Sequence, residues 1–64
     1  MRHLTTVPVS ALQSGDTLAR DGQTIVKVWP LCAGMSIVTM RTTSGAVVQP
    51  VWRDDLMQPV WRTS

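Results

Sequence analysis

The sequence lacks the residues that most often cross-link a small domain. Its 64 residues include one cysteine, Cys32, and one histidine, His3. A single cysteine cannot form an intramolecular disulfide, and these two residues do not make up the ligand set of a structural zinc site. We therefore expect no metal, no cofactor, and a fold stabilised by core packing or by self-association.

Long apolar runs are also missing. The stretch from Ile25 to Trp29 is interrupted by Lys27, and no segment approaches the length of a membrane-spanning helix. Residues 1–6 carry an early charge but no apolar segment of the kind that follows it in a signal peptide. We therefore expect a cytoplasmic protein with no membrane partner.

The charge is weakly positive. Glutamate is absent, and the acidic residues are four aspartates against six lysines and arginines, for a net charge of +2 at pH 7. The basic residues occur singly along the chain rather than in a cluster. This distribution makes nucleic acid a possible partner, and it also fits an ordinary solvated surface.

The apolar pattern predicts strands, because no segment of eleven or more residues keeps helical periodicity without proline or glycine. Asp21-Gly22 is the strongest hairpin signal, joining a strand near 17–20 to one near 24–31. In the second strand, alternation places Val26 and Val28 on the core face. The opposite face then carries Ile25, Lys27 and Trp29. A register inverted by one residue is an open alternative that would exchange the two faces.

The second half of the chain predicts another hairpin. Ser44-Gly45 turns a strand at 36–42 into one at 46–52. Asp54–Met57 fits a single 3₁₀ turn whose start is capped by an aspartate, and a last strand covers about 58–62.

Five short strands with one 3₁₀ turn before the last are typical of an all-β, SH3-like, five-stranded small barrel. We expect this single domain to span residues 7–64 and to follow a flexible N-terminus at residues 1–6. An OB-type barrel ranks second, because it usually needs a longer chain and a true helix.

Two family resemblances accompany this pattern. Leu12 followed by Gly15-Asp16 resembles the Leu-x-x-Gly-Asp opening of small β-barrels such as KOW-type and Hint-type domains. The order of Gly15-Asp16, Gly22-Gln23, Ile25-Val26, Trp29 and Val48-Gln49 is similar to that of type II dihydrofolate reductases. The second resemblance implies an SH3-like tetramer whose central pore binds folate and nicotinamide. Pro50 and Val51 stand where that family has isoleucine and tyrosine. The short chain also resembles the small accessory proteins of bacteriophages.

The most specific motif is a duplicated pentapeptide, Gln-Pro-Val-Trp-Arg, at positions 49–53 and 58–62. Each copy offers a tryptophan beside an arginine, residue types that are enriched in protein interfaces and that stack on bases in nucleic-acid sites. The alternative interpretation is structural, with both tryptophans covering the end of the barrel. The predicted binding residues are Trp29, Trp52, Arg53, Trp61 and Arg62.

A second candidate surface is a patch for self-association. If the Val26 and Val28 face is the core, Ile25, Trp29 and Ile37 lie together on the outside and form a dimer contact. No catalytic residue is predicted, since Asp54-Asp55 has no acid, base or ligand near it in the sequence. The sequence thus favours a non-catalytic binding module for a protein partner or its own copy. Nucleic-acid binding and a reductase activity are the alternatives.

Overall fold

The computed structural model describes residues 1–63 and contains one short 3₁₀ helix, Val9–Ala11, among strands. The strands are β1 (Arg2–Pro8), β2 (Thr17–Leu18), β3 (Thr24–Cys32), β4 (Met35–Arg41), β5 (Val47–Val48), β6 (Val51–Arg53) and β7 (Met57–Thr63). All pairings are antiparallel. The predicted all-β class is confirmed. In the described part of the chain, no helix has the length and apolar character needed to cross a membrane.

The strands form one sheet in the order β1-β7-β2-β3-β4-β5, and β6 also pairs with β4. This sheet is open, with β1 at one end and β5 and β6 at the other. The N-terminus differs from the expected flexible segment at residues 1–6. Arg2–Pro8 pairs with β7 from Arg2 opposite Thr63 to Pro8 opposite Met57.

Both predicted hairpins are present. Gly22 takes a φ of +72° in the turn between β2 and β3, and its N–H donates to the carbonyl of Leu18 over 2.8 Å. This left-handed conformation suits glycine, which lacks the Cβ that would strain it.

The second hairpin joins β4 to β5 and β6, which share one register along β4. Gln49 and Pro50 interrupt these two short strands. The N–H of Val38 still donates to the carbonyl of Pro50 over 2.9 Å.

The 3₁₀ helix is not where the sequence predicted it. Residues 54–56 form a turn closed by a 3.1 Å hydrogen bond from the N–H of Leu56 to the carbonyl of Arg53, and Met57 already belongs to β7. The carboxylate of Asp54 accepts a 2.6 Å hydrogen bond from the hydroxyl of Ser36 on β4, so it links two segments rather than capping a helix.

The core lies on one face of the sheet. Its buried members are Val9, Leu12, Leu18, Ile25, Val38, Met40 and Val60. Val7, Val28 and Trp52 are partly buried and pack against them.

The facing predicted for the start of β3 is wrong, because a register shift between Ile25 and Lys27 breaks the alternation. Ile25 is 1% exposed while Val26 is 41% exposed. A bulge adds one residue to a strand, so the side chains before and after it no longer follow strict alternation. This is why Ile25 and Val28 both face the core.

Candidate functional site

The face of the sheet opposite the core, which we call the outer face, carries several exposed large side chains. One row of paired residues on this face runs through β1, β7, β2, β3, β4 and β5. It consists of Leu4, Trp61, Thr17, Thr24, Arg41 and Val47. Because paired residues of neighbouring strands point to the same side, the register places all six on one surface.

A second row on the outer face is apolar. Trp29 on β3 is paired with Ile37 on β4, and Ile37 is paired with Val51 on β6. Trp29 is 47% exposed, Val51 is 46% exposed and Ile37 is half-buried between them. We call these three residues the Trp29 row. Three adjacent apolar side chains at the surface are more informative than three scattered ones.

Each exposed tryptophan of the outer face has a cation over its ring. The ammonium of Lys27 lies 3.6 Å from the ring centroid of Trp29, and the guanidinium of Arg2 lies 5.6 Å from that of Trp61. Within residues 1–63, neither Lys27 nor Arg41 takes part in an ion pair. Lys27 and Arg41 therefore present their charges on the outer face without a carboxylate partner, whereas Arg53 on the same face pairs with Asp55.

The two copies of the duplicated pentapeptide face opposite ways. In the first copy Trp52 is half-buried against the core, while Val51 is exposed. In the second copy Val60 is fully buried, while Trp61 is 38% exposed. The two Trp-Arg pairs therefore do not form one site. Trp52 packs against the core, and Trp61 belongs to the outer face.

Arg62 is held in an internal ion pair with Asp16. Its Nε and one terminal nitrogen donate to the two carboxylate oxygens of Asp16 over 3.0 and 2.6 Å. The backbone N–H of Gln13 also donates to this carboxylate over 2.9 Å, and Asp16 is 3% exposed. Arg62 further donates to the carbonyl of Ala11 over 3.2 Å. The guanidinium therefore joins β7 to the segment before β2 and has little capacity left for a ligand.

The carboxyl of Asp16 has a lowered pKa. Burial alone would raise the pKa, but the hydrogen bonds from Arg62 and from the Gln13 N–H, with the attraction of the Arg62 charge, outweigh it. Sequence analysis missed this pair because its members lie at opposite ends of the chain. The only signal in the sequence is the aspartate after Gly15, which also fits the Leu-x-x-Gly-Asp opening of small β-barrels.

The remaining predicted residues divide between surface and core. Arg53 is exposed and makes a 3.0 Å ion pair with Asp55 whose two side chains are both largely in solvent. Such a pair is weak, so Arg53 stays available to a ligand. Ile25 lies in the core and cannot contribute to a surface for self-association, which corrects that part of the predicted patch. Trp29 and Ile37 remain together on the outer face.

Residues 1–63 enclose no detectable cavity, and they contain no group of three or more His, Cys, Asp or Glu side chains placed to hold a metal ion. The chain matches no protein-family model, no curated protein and no solved structure.

Proposed function

We propose that this chain is a non-catalytic binding module that engages another protein through the Trp29 row. The observation that carries the proposal is the exposed apolar row formed by Trp29, Ile37 and Val51 on three adjacent strands. Tryptophan is enriched among the residues that dominate binding energy at protein interfaces. Residues 1–63 form no pocket on the outer face, which suits a macromolecular partner better than a small ligand, since a small ligand needs a concave pocket.

The scaffold we propose is an SH3-like barrel with one added strand. Five consecutive positions of the sheet, β7-β2-β3-β4 and then β5 with β6, correspond to the five strands expected from the sequence. β1 adds to this set beside β7. The proposal includes the cytoplasmic location and the phage-type accessory role expected from the sequence.

The positive charges around the Trp29 row indicate which kind of partner surface would be complementary to it. Lys27 and Arg41 lie on the same face as the row, and residues 1–63 supply no carboxylate to either. A complementary partner surface has an apolar centre bordered by aspartates or glutamates. Such complementarity acts mainly on the rate of association and on specificity.

Nucleic acid is the second candidate, because Trp29 and Trp61 share a face with unpaired cations. Bases stack on exposed aromatic rings while cations contact phosphates. The Lys27 ammonium, however, lies 3.6 Å from the Trp29 centroid and covers the ring face on which a base would stack. This contact favours a protein partner over a base-stacking one.

The test compares three immobilised proteins in affinity capture: the wild type, Trp29→Ala, and the control Val47→Ala. Val47 is a 56% exposed residue of the outer face that lies outside the Trp29 row. We expect a protein that is retained by the wild type and the control and lost with Trp29→Ala. Its purified form should then bind by calorimetry with the same ranking. Retention that does not depend on Trp29, or oligonucleotide binding that weakens steeply with salt, would contradict the proposal.

A further inference from the structure

Strand β1 leaves a long hydrogen-bonding edge open. It is seven residues long and lies at the end of the strand order, with β7 as its neighbour. Within residues 1–63, no strand pairs with its other side. An edge of this kind presents a row of unpaired N–H and C=O groups that can pair with another strand.

The register shows which groups point outward. The N–H of Val9 donates to the carbonyl of Leu56, which continues the pairing of β1 with β7. Hydrogen-bonded pairs alternate in an antiparallel ladder, so the odd-numbered residues of β1 bond to β7. Pro59 lies opposite Thr6, and its carbonyl accepts a hydrogen bond from the N–H of Ala19, next to β2, instead of one from β1. This agrees with the alternation. The outward donors are therefore the N–H groups of Arg2, Leu4 and Thr6, and the carbonyls of these residues and of Pro8 point the same way.

The opposite end of the sheet is a poorer template. β5 and β6 span two and three residues, with Gln49 and Pro50 between them. Short edge strands and proline are features that limit strand addition. β1 is thus the longer uninterrupted edge of the described sheet.

We propose that two copies of this chain pair antiparallel along their β1 edges to form a symmetric dimer. Two registers place side chains of the same face opposite each other. In the first register Leu4 lies opposite Leu4 of the second copy, and in the second register Thr5 lies opposite Thr5 of the second copy. In both registers Thr6 donates to the other copy, and the three donors of each strand give about six hydrogen bonds across the pair.

The edge is self-complementary in charge as well as in hydrogen bonding. Arg2 lies opposite Thr6 of the second copy in the first register and opposite Pro8 in the second, so the two arginines do not meet. The central residues, Leu4, Thr5, Thr6 and Val7, are uncharged, and three of them are β-branched residues that suit strands. A symmetric pair uses up both edges and closes as a dimer, whereas pairing of β1 with the β5 and β6 edge would extend into a filament.

The first experiment removes one outward donor. Thr6→Pro deletes an N–H that β7 does not use and leaves Thr5 in the extended conformation that a following proline favours. The matched control is Thr6→Val, which keeps the N–H and the branched shape. In sedimentation equilibrium we expect the wild type and Thr6→Val to dimerise alike. Thr6→Pro should weaken association by about tenfold or more, since two hydrogen bonds are lost per dimer.

Far-UV circular dichroism and a thermal melt must show that Thr6→Pro is folded. A folded Thr6→Pro variant that dimerises like the wild type would overturn the proposal, as would a monomeric wild type or a filament. The proposal does not rest on the Trp29 row. Trp29→Ala should leave dimerisation unchanged, so failure of the partner test and failure of the dimer test are distinguishable.

The second experiment reads the register by cross-linking in a Cys32→Ser background, because Cys32 is exposed. Leu4→Cys should form an intermolecular disulfide in the first register, and Thr5→Cys should form one in the second. Residues directly opposite each other in an antiparallel pair lie about 4.5–5.5 Å apart at Cα, within reach of a disulfide. Cross-linking of either variant at low protein concentration supports the dimer, and cross-linking of neither contradicts it.

Discussion

Ile25 and Val26, at the bulge in β3, have opposite exposures and should contribute differently to stability. Ile25 is 1% exposed and Val26 is 41% exposed. Truncation of a buried isoleucine to alanine costs about 2–5 kcal/mol, since burial is lost and a cavity remains. A substitution at an exposed position changes stability by about 0.5 kcal/mol. A domain of this length is stable by about 3–10 kcal/mol in total. We therefore expect Ile25→Ala to remove much of the stability and Val26→Ala to leave it nearly unchanged.

A milder variant keeps the measurement within range if Ile25→Ala does not fold. Ile25→Val removes one buried methyl group and should cost about 0.5–1.5 kcal/mol. In a domain of this size that corresponds to a fall in Tm of about 2–12 °C. Urea denaturation followed by tryptophan fluorescence, with thermal melts by circular dichroism, compares this variant with Val26→Ala. A larger loss for Val26→Ala than for Ile25→Val would contradict the core position of Ile25, and with it the bulge that lets Ile25 and Val28 face the core together.

Two further predictions concern Asp16 and the duplicated tryptophans. Because the folded state lowers the pKa of Asp16, its stabilising effect is complete above the ordinary value of 3.8 and is lost as the pH falls below it. Urea midpoints should show this acid loss in the wild type and in Asp55→Asn but not in Asp16→Asn; an unchanged pH profile in Asp16→Asn would contradict it. Trp52→Ala should lower the urea midpoint more than Trp61→Ala, because Trp52 packs against the core; the reverse order would refute the opposite facing.

Local signals in the sequence predicted the parts of the fold that depend on local interactions. Asp21-Gly22 and Ser44-Gly45 specify turns by their own backbone preferences, and both hairpins formed around them. β1 escaped prediction because Arg2–Pro8 is held by β7 at the other end of the chain. Its polar and charged residues at positions 2, 3, 5 and 6 give no apolar alternation, so its strand conformation depends on that distant partner.

The candidate site also has features that the sequence predicts and features that depend on distant strands. Composition identified tryptophans and arginines as the residues able to bind, but their facing depends on the register of each strand. The two identical pentapeptides demonstrate this directly, since Trp52 faces the core and Trp61 faces outward. No property of the pentapeptide itself distinguishes the copies. The partner strand does, with β4 holding the first copy and β1 and β2 holding the second.

The proposed dimer and the proposed binding face reinforce each other geometrically. In both β1 registers the paired residues share a face, which requires a twofold axis perpendicular to the sheet. The outer faces of the two copies then lie on the same side of one continuous sheet, each with its own Trp29 row. Two identical sites on a rigid sheet raise the effective concentration of the second contact once the first has formed. A partner that is itself dimeric should therefore bind the wild type more tightly than the folded Thr6→Pro variant, although Thr6 lies outside the Trp29 row.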